Sequence, residues 1–318
     1  MRTLRPAVDA SAALRLRVDA KSFVADGVQS LVLSDPGGRR LPPWTPGAHV
    51  DLVLPNGITR QFSLCGDRWD AYAYRVAVLR SSDGRGGSTY VHDGLRVGDL
   101  VGLGGPRNNF PLVPAPRYVF VAGGIGITPL LPMISQADAL GADWHLFYGG
   151  RSMAFLDELS RFGDRVTVCH RGLRDLLPAV VADTDPAGAR LYCCGPAPLL
   201  ETVERLCAGR PAGFLRTERF VAADAGTVHD TAFEIALARS ARTVTVTAGD
   251  SVLDTLRRSG VPVLSSCQQG ICGTCEVPVL GGEVDHRDSL LDDRERADNT
   301  SMFVCVSRAR GPRLVLDL

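Results

Sequence analysis

Lysine is almost missing from this chain of 318 residues. Lys21 is the single lysine among 35 basic side chains, which reads as a composition bias of the genome rather than a functional device. Net charge is missing too, with 35 basic against 35 acidic residues. Nucleic acids and anionic membranes are gripped by excess positive charge, so neither is indicated as a partner. No apolar run approaches the ~18 residues of a membrane span. The first residues lack the apolar core of a secretory leader. Internal repeats and low-complexity tracts are absent. These absences lead to the expectation of a soluble cytoplasmic protein. Its length suggests two or three domains, and 45% hydrophobic content allows each a proper core.

Cysteine is plentiful, with nine residues, and four of them carry a pattern. Cys267, Cys272, Cys275 and Cys305 read Cys-x4-Cys-x2-Cys followed by a distant fourth cysteine. That is the plant-type [2Fe–2S] spacing. Gly270 and Gly273 let the loop bend tightly and aim N–H groups at sulfur. A structural zinc site is the plain alternative, but such sites show two short hooks rather than one loop and a solitary ligand. Disulfides are disfavoured in a reducing compartment. Cys65, Cys169, Cys193, Cys194 and Cys207 form no joint metal pattern. A cluster passes one electron at a time, so this segment predicts a protein that moves electrons.

The order of elements predicts three regions with boundaries 1–112, 113–222 and 231–318. In the first, strand-like stretches at 48–54, 61–65, 72–80 and 99–103 are separated by turn signals such as Pro55-Asn56-Gly57 and suggest an antiparallel barrel. Pro111, Pro114 and Pro116 mark a linker. In the second, strands at 118–122, 144–148, 166–169, 191–194 and 214–220 alternate with helices at 129–139, 155–162 and 198–208, giving a parallel α/β sheet. A small, polar stretch over 221–231 is a second linker. The third region opens with strands at 233–238 and 243–247. Asp250 is expected to cap a helix over 251–259 that Gly260 ends. After the cysteine loop, strands at 304–306 and 314–318 close an α+β fold of ferredoxin type.

Gly123-Gly124-Ile125-Gly126-Ile127-Thr128-Pro129 joins a strand to a helix. Thr128 is expected as N-cap and Pro129 as the first helical residue. Glycines there let a phosphate approach backbone N–H groups and the helix dipole. Cys194-Gly195-Pro196 ends another strand and should face the same sheet edge, where ligands of parallel sheets bind. A tight turn with glycines for packing is the alternative, and Cys193 beside Cys194 also fits a buried cysteine pair. Arg151 follows a strand and could meet an adenosine ribose or simply be solvated. In the barrel, Arg60, Phe62 and Ser63 lie on one strand, with Arg60 and Phe62 on a shared face. Gly84-Arg85-Gly86-Gly87-Ser88 could make a phosphate nest with a counter-charge and a hydroxyl, or a plain hairpin turn.

Taken jointly, these stretches resemble the phthalate dioxygenase reductase family over nearly the whole chain. The resemblance is carried by Arg60-Gln61-Phe62-Ser63, 84–88, Gly105-Pro106-Arg107-Asn108-Asn109-Phe110-Pro111, 123–129, Cys194-Gly195-Pro196, Asp285-His286-Arg287-Asp288 and Cys305-Val306-Ser307-Arg308-Ala309. It implies a multidomain fold: a flavin-binding antiparallel β-barrel, an α/β parallel-sheet NAD domain and a C-terminal ferredoxin domain. It implies FMN, held at its ring by Arg60, Phe62 and Ser63 and at its phosphate by Arg85, Gly86, Gly87 and Ser88. It places Gly124, Thr128, Cys194 and Glu218 near the nicotinamide or flavin, with Gly123, Gly195 and Pro196 also binding cofactor. Two departures stand out. Phe62 replaces the family's tyrosine, keeping the stacking face and losing a hydroxyl. The segment 149–155 is shorter than usual, which bears on the adenosine end.

The implied activity is a two-to-one electron converter. NADH supplies a hydride, a flavin takes two electrons and releases them singly, and a [2Fe–2S] cluster passes them on. The partner so implied is a terminal oxygenase of Rieske non-haem iron type, served by a monomer. Alternatives are a reductase for a P450 or di-iron oxygenase, or a redox-sensing binding module, for which no DNA-binding motif or basic patch speaks. The stretch 283–298, with seven acidic residues and three arginines, is expected to help dock the acceptor electrostatically; a solvated loop is the alternative.

Overall fold

The computed structural model describes residues 14–81, 86–170, 172–221 and 231–318. They belong to two compact units, one running to Phe220 and one from Val221 to the end.

The first unit begins with a six-stranded antiparallel sheet in the order β4-β3-β6-β1-β2-β5, built from β1 (Leu14–Ala25), β2 (Val28–Ser34), β3 (His49–Val53), β4 (Thr59–Ser63), β5 (Ala73–Leu79) and β6 (Leu100–Arg107). A lone bridge between Leu64 and Val76 links the two outer strands and curls the sheet toward a barrel. Strand alternation fills its interior with Leu16, Val18, Leu31, Leu33, Val50, Leu52, Val76 and Val101, all essentially without solvent contact. The β1 and β2 strands lie outside the four barrel stretches read from the sequence. They turn on Asp26-Gly27, where Gly27 takes φ 66°, the turn chemistry that a two-residue hairpin demands. A short helix, α1 (Gly87–Asp93), was also outside that reading.

The same unit continues into a parallel sheet in the order β11-β10-β7-β8-β9, from β7 (Arg117–Gly123), β8 (Asp143–Gly149), β9 (Val166–Cys169), β10 (Ala189–Cys194) and β11 (Leu215–Glu218). Both faces are covered, as parallel sheets require. Phe120, Ala122, Leu146 and Tyr148 pack with α2 (Ile127–Ala139) and the region of α3 (Leu156–Ser160). Val119, Val121, Leu191 and Cys193 face α4 (Leu177–Ala182) and α5 (Ala197–Leu206). The α4 helix was not foreseen. One apolar cluster joins Val28, Cys65, Ala77 and Phe110 of the barrel region to Phe120 and Ile134 of the α/β region. Arg75 adds a bidentate pair to Glu158, at 2.5 and 2.9 Å.

The second unit is an α+β fold. Its sheet runs β13-β12-β18-β14-β16, from β12 (Phe233–Leu237), β13 (Arg242–Val246), β14 (Glu276–Gly281), β16 (Ser301–Phe303) and β18 (Arg313–Leu316). A small ladder pairs β15 (Val284–Asp285) with β17 (Arg308–Ala309). Helix α6 (Val252–Arg258) lays Val252, Leu253 and Leu256 on Ile235, Val246, Phe303 and Leu316. Its cap is Ser251, whose hydroxyl accepts from Asp254 N at 3.0 Å. The expected cap Asp250 instead holds Arg258 at 2.6 Å: the serine, one residue later, reaches the amide first. The expected strand at 304–306 is a turn, because β16 stops at Phe303. The last helix is α7 (Asp293–Asp298).

Candidate functional site

In the second unit, β-sheet register explains how a cysteine far along the chain joins the other three. Glu276 of β14 pairs with Phe303 of β16, and Val304 N donates to Cys275 O at 3.2 Å. Cys275 and Cys305 therefore sit side by side, and each thiol shifts the other's proton affinity. Cys267 and Cys272 form a second such pair within the loop. All four cysteines are buried and free of disulfides. In each pair the contact pushes one thiol up and holds its partner down; Cys272 falls to about 5 through its contacts with Cys267 and Thr274.

The loop is built to offer sulfur its N–H groups. Gln269 N lies 3.3 Å from Cys267 Sγ and Thr274 N 3.5 Å from Cys272 Sγ. Gly270, at φ 69°, packs so closely that a Cβ would stand 2.7 Å from Val306 and 3.0 Å from Asp288 Cα. Ser289 N also donates to Gly270 O at 2.9 Å. Thus Asp288 and Ser289 hold the cysteine loop from outside. Among the described residues no three His, Cys, Asp or Glu side chains converge on a single ion. Two adjacent thiol pairs instead suit a two-iron cluster with four cysteine ligands. Desolvated sulfurs with amide donors fit that group.

In the first unit, the carboxyl edge of the parallel sheet gathers the other site. Gly123, Gly126 and Gly195 are there for close packing. A Cβ on Gly126 would lie 2.2 Å from Cys194 O, and one on Gly195 would lie 2.9 Å from Gly123 Cα. The two glycine loops therefore abut backbone to backbone, and Pro196 closes against Gly123, 2.7 Å from where its Cβ would be. Gly124 differs. It takes φ 54°, and a Cβ there would meet nothing nearer than Ser152 O at 3.7 Å, so its surface is open to a ligand. Helix α2 begins at Ile127 after a short 3-10 turn over Gly124–Gly126, and its N-cap is Gly126. Thr128 is thus the second helical residue rather than the cap, and Pro129 the third. The buried Thr128 hydroxyl donates back to Ile125 O at 2.9 Å, because the turn has already tightened the chain before the helix. Tyr148, read from the sequence only as the end of a strand, fixes this loop by donating to Gly124 O at 3.1 Å and Ala154 O at 3.2 Å. A buried tyrosine just before a Gly-Gly pair was its only signal.

Cys194 pairs in register with Glu218 of β11. Cys193 faces the opposite side of the sheet, in the other apolar cluster. Ser63, at the end of β4, brings its hydroxyl to 3.5 Å from Glu218 Oε2. Glu218 keeps a little solvent contact, yet dense surroundings push its carboxyl up to about 8. Burial raises the Cys194 thiol well above its usual range, and the nearby Glu218 charge adds to this. Ser63, Thr128, Cys194, Gly124 and Glu218 are thus assembled where strands from both sheets end.

Nearby, Gly87 lets Arg60 lie across the start of α1: a Cβ there would stand 2.5 Å from Arg60 Cγ and Nε. Gly86 caps this helix at φ 75°, and Ser88 Oγ accepts from Ser81 N at 3.1 Å. Phe62 packs partly buried against the barrel core. Gly84 and Arg85 lie outside the described residues. A guanidinium, a glycine turn and a serine hydroxyl together fit a flavin phosphate and ring, with the cradle held open by Gly87.

Residues 235–310 match the family model of the 2Fe-2S iron-sulfur cluster binding domain. The phthalate dioxygenase reductase of Burkholderia cepacia is 40% identical over 315 residues, covering 96% of this chain and 97% of the relative. A solved phthalate dioxygenase reductase, described as a modular structure for electron transfer from pyridine nucleotides to [2Fe-2S], has a TM-score of 0.70 at 39% identity and covers 97% of this chain and 98% of that one. An intact type IV self-sufficient cytochrome P450 monooxygenase is similar at TM-score 0.89 and 40% identity, over 99% of this chain; the chain spans 43% of that protein's length. With a thiol quartet, two abutting glycine loops at the edge of its parallel sheet and 40% identity to such a reductase over 96% of its length, the chain belongs to the phthalate dioxygenase reductase family.

Proposed function

We propose that this protein is the NADH-dependent reductase component of a Rieske-type oxygenase system. The observation that carries this reading is the meeting of Ser63, Cys194 and Glu218 at the carboxyl edge, in a chain that also holds two adjacent cysteine pairs. When bound, FMN supplies the exchange between two-electron and one-electron transfer that a nicotinamide and an iron–sulfur cluster need.

The chain's own residues do the rest. Gly86, Gly87 and Ser88, with Arg85 beyond the described residues, hold the FMN phosphate end, and Arg60, Phe62 and Ser63 hold its ring and ribityl chain. Gly123, Gly124, Thr128, Gly195 and Pro196 shape the pyridine-nucleotide site, and Gly124 leaves its backbone open to the pyrophosphate. Cys194 and Ser63 line the reacting end. Glu218, with its carboxyl near 8, keeps its proton at neutral pH and so adds no anion beside an incoming hydride. Cys267, Cys272, Cys275 and Cys305 bind the cluster.

The working form is a cytoplasmic monomer. Among the described residues no helix is long and apolar enough to cross a membrane. Acceptor docking uses the acidic stretch 283–298. Within it Asp292 and Glu295 are exposed but engaged in the capping box of α7, and Asp285 pairs with Arg287 at 2.7 Å, while Glu283 and Asp298 are exposed outside these contacts. Glu283 and Asp298 are therefore the charges to test. Replacing both with amides should flatten the salt dependence of electron delivery; an unchanged dependence argues against docking there.

Anaerobic titration of the purified holoprotein with NADH tests the whole reading. Bleaching of both the flavin and the iron–sulfur absorbance supports it. Bleaching of the flavin alone removes the cluster from the path. A second reading, delivery to a P450, is favoured by the likeness to the self-sufficient P450 monooxygenase, and mixing the reduced protein with each acceptor class decides between them.

A further inference from the structure

We propose that this chain also takes electrons from NADPH, with Arg151 holding the 2′-phosphate. The inference rests on the pyridine-nucleotide reading of the carboxyl edge and extends it to the adenosine end.

The sheet order fixes how a dinucleotide must lie. Cys194 and Glu218 end β10 and β11, on one side of β7, and the open Gly124 loop follows β7. A nucleotide with its nicotinamide at β10 and β11 and its pyrophosphate at Gly124 runs its adenosine half over β8 and β9. The segment after β8 is held against the phosphate loop at two points. Gly150 packs so tightly that a Cβ would stand 2.8 Å from Gly124 N. Two residues on, Ser152 donates its hydroxyl to Asp26 O at 2.5 Å. Arg151 lies between these anchors with its side chain exposed.

Its chemistry points to a phosphate. Sites for NAD place a carboxylate after this second strand, where it accepts from the ribose 2′-hydroxyl and repels a 2′-phosphate; an arginine nearby accommodates the phosphate instead. Here neither 149–156 nor 169–174 contains an Asp or Glu. The carboxylates nearest to those stretches along the chain are Asp157 and Glu158 in α3 and Asp175 beyond β9; Glu158 is bound to Arg75, and Asp175 stands 24 positions from Arg151. No ion pair between Arg151 and a described carboxylate is present. Its planar fork of donors matches phosphate oxygens. The loop shortened before α3 thus carries a cation where an NAD-type site carries an acid.

Calorimetry on the holoprotein with 2′,5′-ADP and with 5′-AMP tests this without turnover. The proposal expects the wild type to bind 2′,5′-ADP about 10-fold or more tighter than 5′-AMP, and Arg151→Ala to bring the two affinities together. In cytochrome c reduction, the same variant should lose about 10- to 100-fold more kcat/KM with NADPH than with NADH. Arg151→Lys should restore part of the 2′,5′-ADP preference. Equal affinities in the wild type, or an Arg151→Ala loss shared equally by both ligands, overturns the phosphate site. NADH turnover alongside that result leaves the reductase reading standing; absence of both 5′-AMP binding and NADH turnover overturns the two together.

Discussion

Ser63 and Glu218 meet at 3.5 Å across 155 positions of sequence, joining the last residue of a barrel strand to the last residue of a parallel strand. The contact places a hydroxyl on a carboxyl that burial has pushed up to about 8. Below its ordinary 4.5 that group is protonated whether the chain is folded or not. Between 4.5 and about 8 only the folded protein keeps the proton, so unfolding is favoured by ionisation and stability falls as pH rises. The slope reaches about 1.4 kcal/mol per pH unit. Glu218→Gln should flatten it, read from urea unfolding midpoints between about pH 5 and pH 8. An equally steep slope in the variant would assign the dependence to other groups.

The cysteine pairs predict a separable electron path. Cys305→Ser breaks the pair with Cys275 and removes a cluster ligand. The variant should lose most of its iron and its cytochrome c reduction, while NADH still bleaches the flavin. Iron content and an anaerobic spectrum check both halves. Full iron retention would place the fourth ligand elsewhere.

Glycines at the nucleotide edge should divide into two kinds. Gly126→Ala puts a Cβ 2.2 Å from the Cys194 carbonyl oxygen, and neither backbone can yield, so stability should fall by about 1–3 kcal/mol. Gly124→Ala meets open space apart from its φ of 54°, at a cost of about 1–2 kcal/mol. That variant should fold and show a raised KM for NADH, because the methyl lies on the ligand side. Thermal melts and steady-state kinetics on both variants check the split. An unchanged KM in Gly124→Ala would show that the nucleotide does not approach that backbone.

Gly87→Ala tests the flavin cradle. Its methyl would displace Arg60, now 2.5 Å from the Cβ position, and the variant should release flavin on dilution. Without one charge-assisted hydrogen bond the hold on flavin should weaken about 10-fold or more. Fluorescence of the freed flavin measures it; wild-type retention would show that Arg60 is not part of the cradle.

Much of this protein was legible from residue spacing, and the rest was decided in three dimensions. Cys267, Cys272, Cys275 and Cys305 declared a cluster because ligand spacing is a local chemical constraint. The βαβ alternation declared a parallel sheet, because buried strands read as apolar runs. Spacing could not place the residue that starts a helix. Asp250 yielded the cap to Ser251, which reaches the free amide first, and Thr128 fell inside its helix because a 3-10 turn over Gly124–Gly126 leads straight into it. Nor could it show that Gly126 and Gly195 serve loop-to-loop packing while Gly124 alone stays open. That division depends on which backbone lies opposite. The sequence alone determined the redox chemistry, because sulfur ligands and glycine turns are chosen by composition and local order. Tertiary structure decided which side chains share a site: Ser63 meets Glu218 only because two sheets pack on one core, and Cys275 meets Cys305 only because two strands pair in one register.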